Sequence, residues 1–172
     1  VGVKLGEEAN ELCQLPNSGF ENFHKASYSK TTSDEPNGWH SFMSSTGSMA
    51  SMVSSPVHTF ISNDVRKEEG SEDGQTENKS CVKIVSTPVK VFGIAAASAN
   101  GTITTGQLNA GSYTATSTDN NAFLDFANTN TDGNGDPFYA VLNNKPDAMK
   151  VWVKFHAGDG NQNPQATISA LL

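Results

Sequence analysis

Apolar residues recur along this chain in short runs separated by turn residues, and one run is more regular than the rest. From Met149 to Phe155 the pattern has a period of two. Met149, Val151, Val153 and Phe155 fall on one side, and Lys150, Trp152 and Lys154 on the other. A strand of this kind is expected to bury its apolar side against a second layer and to turn its indole outward. Upstream, Phe138–Leu142 reads as a strand, with turn chemistry between them at Asn143-Asn144-Lys145-Pro146-Asp147.

The same reading along the chain predicts short strands at Val57–Ser62, Ser80–Val85, Val89–Ala97, Thr102–Thr105, Ser112–Thr116, Ala122–Phe126 and Gln165–Leu172. Asn100-Gly101 predicts a tight turn, and Asp119-Asn120-Asn121 another. Glu7–Cys13 carries the pattern of a short helical turn. Pro16-Asn17-Ser18-Gly19 enforces a turn, after which Phe20 and Phe23 act as apolar anchors. A loop then runs to Glu35-Pro36-Asn37-Gly38, where Asn-Gly hands over to Trp39, a residue that reads as a core plug. Many short strands with little helical periodicity predict an all-β sandwich.

Length and composition narrow the picture. A chain of 172 residues has room for one domain with a core. The expected division is an N-terminal segment or linker over 1–14 and a β-sandwich over 15–172, with an exposed acidic loop at 63–79. The formal charge is −7, and no basic cluster exceeds Arg66-Lys67, so nucleic acid is not an expected partner. No apolar run has the length of a membrane span. Cys13 and Cys81 either pair in an oxidising compartment or remain half-buried thiols.

Several segments together resemble one family. LPNSGFENF, EPNGWHSF, NKSCVKI, ASANGTITTG and KPDAMKVWVKFHAGD are similar to the bacterial PCMD family of carbohydrate-metabolism domains, across roughly Leu15 to Leu172. The resemblance implies a jelly-roll, galactose-binding-like sandwich on an exported protein, periplasmic or at the cell surface, including as part of a lipoprotein. It implies a carbohydrate context and supplies no catalytic residues. Its opening Asn-x-x-Phe-Glu also resembles carbohydrate-binding modules, which implies a structural ion near Glu21. The chain departs from the family in the acidic insertion at 63–79 and in its early stop. That stop predicts C-terminal strands belonging to a longer parent chain.

The candidate chemistry is sparse. A sugar-binding face needs an aromatic ring with polar neighbours. Trp152 with Lys150 and Lys154 supplies one, joined by Tyr139, Asn143 and Asn144 if the two ribbons pair antiparallel. The alternative is an indole covered by a crossing loop, with the lysines reaching past it. Asp132, Asn134 and Asp136 place oxygens at alternating positions in a glycine-bearing loop, which suits Ca²⁺ or serves simply as a turn. An EF-hand is excluded, because Pro137 stands where glycine is needed and Asn143 where glutamate is. No cofactor is required by any motif.

Glu21, Asp125 and Asp136 are carboxylates without a local context that marks a glycosidase pair. His24, His40, His58 and His156 form neither HxH nor HExxH spacing, and no G-x-S-x-G elbow occurs. The expected function is therefore a non-catalytic carbohydrate-binding or glycan-presenting module acting on a polysaccharide or oligosaccharide. A structural or adhesion scaffold that binds proteins is the alternative, and a glycoside hydrolase domain the second.

Overall fold

The computed structural model describes residues 14–65, 79–114, 116–160 and 164–171. Among them eight strands pair as four two-stranded antiparallel sheets: β1 (Phe23–Tyr28) with β2 (Thr31–Pro36), and β3 (Thr59–Ser62) with β4 (Cys81–Ile84). The other two join β5 (Thr87–Val91) to β6 (Ile94–Ala99), and β7 (Gln107–Ala110) to β8 (Asn120–Phe123). Two single-turn 3-10 helices, Phe42–Ser44 and Ala50–Met52, lie between β2 and β3. The fold is largely β, as expected, but built of small sheets rather than two broad facing layers.

The β1–β2 hairpin fell in a stretch that reads as loop. Its inward positions are His24, Ala26 and Tyr28 opposite Glu35, Ser33 and Thr31, so the strand period is present but carried mostly by polar side chains. Outward, Lys25 and Asp34 sit cross-strand and pair at 2.7 Å. The predicted strand over Val89–Ala97 is two strands. Phe92 (φ +50°) and Gly93 (φ +82°) both take left-handed geometry, the signature of a two-residue hairpin turn, so the apolar run folds back on itself. β7 was not anticipated. The described residues of Ser112–Thr116, together with Thr102–Thr105, form no strand beyond a single bridge from Thr104 to His40, and none runs through the described part of Gln165–Leu172.

The largest correction concerns the ribbon at Met149–Phe155. It forms no strand, nor does Phe138–Leu142. Met149, Val151, Val153 and Phe155 are each between 52% and 57% exposed, so the apolar side is not buried. Alternation fixes which residues would share a face, yet a strand needs a partner for its N–H and C=O groups. Among the described residues no neighbouring strand supplies one.

The interior is small and mixed. Ala26, Met43, Ala50, Val53 and Phe138 form its apolar part, while Glu35, His40, Ser41, His58, Thr59 and Gln107 are equally buried. The segment after β2 docks along β7: Thr46 N–H donates to Leu108 O (2.8 Å) and Ala110 N–H to Thr46 O (2.7 Å). Glu7–Cys13, most of the 63–79 loop and the Cys13 half of any Cys13–Cys81 pair lie outside the described residues. Cys81 Sγ–H donates to Asp64 O at 3.4 Å.

Candidate metal centre and aromatic face

The buried centre is assembled from three segments. In the β1–β2 register His24 stands directly across from Glu35, which puts both side chains on the same inward face. Asn37-Gly38 then reverses the chain, Gly38 taking φ +73°. The reversal brings His40 back over the hairpin, where its N–H donates to Thr104 O (2.6 Å) and its carbonyl accepts from Thr104 N–H (3.0 Å). The third segment is the Asp132–Asp136 loop, held from 98 residues away by Gly38 N–H donating to Asp136 Oδ2 at 2.9 Å. Phe138, fully buried, follows that loop and packs its ring on His40 with centroids 4.5 Å apart.

The result is a group of imidazoles and carboxylates facing one another. His24 Nε2 lies 3.5 Å from Asp132 Oδ2 and 3.9 Å from Glu35 Oε2, and His40 Nε2 lies 3.5 Å from the same Asp132 oxygen. His24, Glu35 and Asp132 each offer a ligand atom within 4.8 Å of the others, so the cluster can coordinate a metal ion. The side chains of Glu35, His40 and Asp132 are fully buried, and that of His24 nearly so. Burial lowers the His40 pKa against the opposing pull of Glu35, Asp132 and Asp136, which favours a neutral ring with a lone pair to offer.

Neighbouring groups fix the orientation of three of these side chains. His24 Nδ1 is 3.0 Å from Asn37 Oδ1, a contact that orients the ring and aims Nε2 inward. Glu35 Oε1 accepts from Ser41 N–H (2.6 Å) and Ser41 Oγ–H (2.7 Å), and Oε2 accepts from Ser44 Oγ–H. Asp132 Oδ1 accepts from the N–H groups of Asn134 (2.9 Å) and Asp136 (2.8 Å), leaving Oδ2 for the cluster.

The loop read as a calcium candidate thus divides. Asp132 joins the histidines, whereas Asp136 Oδ2 accepts from Gly38 N–H and from the Asn134 side-chain amide (3.1 Å). Glu21, the other expected ion site, uses Oε1 to accept from Lys79 N–H (2.6 Å) and Ser80 N–H (2.9 Å) at the entry to β4. Asp125 accepts from Thr129 N–H, Thr129 Oγ–H and Asn130 N–H, and the Thr129 hydroxyl leads in holding its carboxyl below the usual range. Each candidate glycosidase acid accepts from backbone N–H groups, Asp125 within its own loop and Glu21 and Asp136 from segments remote in sequence.

The aromatic face is only partly as expected. The Trp152 indole is 61% exposed, with the Lys150 ammonium 4.8 Å from its ring centroid. Lys154 reaches to Asp64 (2.7 Å), and this hydrogen bond raises the lysine pKa and lowers that of the aspartate. Tyr139 is half-buried, while Asn143 and Asn144 are exposed. With no strand in either ribbon, the antiparallel pairing expected to set Tyr139, Asn143 and Asn144 beside Trp152 is not formed. Trp39 is a half-buried plug, its Nε1–H donating to Pro16 O (2.9 Å) and its ring edge-on to Phe20 at 5.2 Å.

Sequence reasoning missed His24, Glu35 and His40 as a set, because their spacing matches no metal motif. The available signal was the Asn37-Gly38 turn, flanked by an acid and an imidazole. Comparison with family models, with curated proteins and with solved structures finds no match to this chain. No helix among the described residues is long and apolar enough to cross a membrane.

Proposed function

We propose that the chain is a non-catalytic carbohydrate-binding or glycan-presenting module of an exported bacterial protein, with the jelly-roll as its parent architecture. The observation that carries this reading is the exposed Trp152 indole with a cation against it. An aromatic ring open to solvent is the usual platform for the apolar face of a pyranose, and ammonium groups beside it can donate to sugar hydroxyls. Burial of the two facing carboxylates, Glu35 and Asp132, speaks against the hydrolase reading, since a substrate bond must reach both. On a glycan array the parent chain is expected to retain a polysaccharide or oligosaccharide, and Trp152→Ala to lose it with unchanged circular dichroism. Retention by the variant equal to that of the parent would overturn the reading.

A protein-binding scaffold is favoured by a separate observation, the exposed stripe of Met149, Val151, Val153 and Phe155. An extended segment with one apolar side is what strand addition uses. The two readings part on variants: the scaffold reading expects Val151→Ser with Val153→Ser to abolish association, and the glycan reading expects that pair to leave retention intact.

A further inference from the structure

We propose that His24, Glu35, His40 and Asp132 form a binding site for a first-row divalent transition metal, of which zinc is the best match, and that the ion fastens the β1–β2 hairpin to the Asp132 loop. The inference is independent of the glycan reading and involves none of its residues.

The unpaired atoms argue first. His24 Nε2, His40 Nδ1, His40 Nε2 and Asp132 Oδ2 are all buried without a hydrogen-bond partner. A separation of 3.5 Å between nitrogen and oxygen is too long for a hydrogen bond of ordinary strength. It is close to what a shared ion requires: metal–nitrogen and metal–oxygen bonds near 2.0–2.1 Å place neighbouring tetrahedral ligand atoms about 3.3–3.4 Å apart. His58 gives the internal contrast. It is as deeply buried, yet Nε2 meets Ser55 O at 3.0 Å and Nδ1 meets Thr87 Oγ1 at 2.9 Å. This fold therefore satisfies a buried histidine when the histidine is structural, and leaves two others aimed at carboxylates.

Charge argues second. Two carboxylates buried within ligand distance of each other are costly unless a cation compensates them. A divalent ion supplies that compensation, and the outer contacts match those of metal ligands: Asn37 on His24 Nδ1, the Ser41 and Ser44 hydroxyls on Glu35, and two N–H groups on Asp132.

The donor set argues third, and names the class of ion. Ca²⁺ takes six to eight oxygen ligands, whereas two imidazoles with two carboxylates suit the borderline ions of the first transition row. A surface hollow of about 190 Å³ borders the cluster, with Asp132, Ser44 and Phe138 among its walls.

The test uses the full chain, stripped with a chelator and dialysed, then titrated with Zn²⁺ alone or Ca²⁺ alone. The expected result is one zinc retained per chain by elemental analysis and a melting temperature raised by roughly 5–15 °C, with no such rise from Ca²⁺. His40→Gln and Asp132→Asn should each weaken zinc retention at least tenfold, while His156→Ala, at an exposed position remote in sequence from the cluster, should retain it in full. Should the ligand variants fail to fold, Co²⁺ added to the parent chain gives the answer by itself, because visible d–d absorption displaced by Zn²⁺ reports a protein-held site. No retained zinc and no Co²⁺ absorption would overturn the proposal. So would loss of zinc in His156→Ala, or stabilisation by Ca²⁺ alone.

Discussion

Two regions of this molecule invert the usual arrangement of polar and apolar residues. Around Asp132, ionisable side chains are buried and converge; from Met149 to Phe155, the most regular apolar pattern in the chain stands in solvent. The first region is over-determined locally, because a cross-strand pair, an Asn-Gly turn and an Asx-type loop each orient one or more of its side chains. The second has a pattern and no partner. Side-chain periodicity states which residues belong together, but burial is decided by what the fold places opposite them.

The largest expected effect comes from breaking the buried region. In the zinc-loaded chain, Asp132→Ala removes the oxygen shared by both histidines and the acceptor of two loop N–H groups, and should cost about 3–5 kcal/mol in a denaturant titration. Phe138→Ala, which opens a cavity against His40, should cost about 3 kcal/mol by the same measurement. The ribbon should behave in the opposite way. Val151→Thr together with Val153→Thr is expected to shift stability by less than about 0.5 kcal/mol, as exposed substitutions do; a loss of 2 kcal/mol or more would mean that the apolar side is covered in solution.

The smallest effect belongs to Asp125. Its carboxyl is held below the ordinary range by Thr129, so the folded state binds fewer protons than the unfolded chain over that window. The associated stability is present above the ordinary aspartate pKa and is lost as pH falls through the depressed value. Asp125→Asn should therefore flatten a small part of the acid limb of an unfolding curve recorded against pH.

How far the sequence could be read follows from the same contrast. β3 and β4 were legible because Val82 and Ile84 alternate with polar residues between clear turns, and Asn37-Gly38 announced its turn outright. The β1–β2 hairpin was not, since Glu35 and His24 occupy the positions where a strand pattern needs valine or isoleucine. The Phe92-Gly93 turn was hidden inside an apolar run, where only a left-handed glycine marks the reversal. Asp132 drew notice as a loop oxygen for calcium, but its actual neighbours come from residues about a hundred positions earlier, a distance over which no local motif operates. Trp152 is exposed, but so are the apolar residues expected on the opposite side, because the strand and the layer expected beneath it do not form.

The account rests on the identity of what compensates the buried carboxylates, and zinc K-edge X-ray absorption on the chain loaded with one equivalent of zinc addresses that directly. The account predicts a shell of four nitrogen and oxygen ligands at about 2.0–2.1 Å with the multiple-scattering signature of two imidazoles. A spectrum of hydrated zinc without imidazole scattering would contradict it.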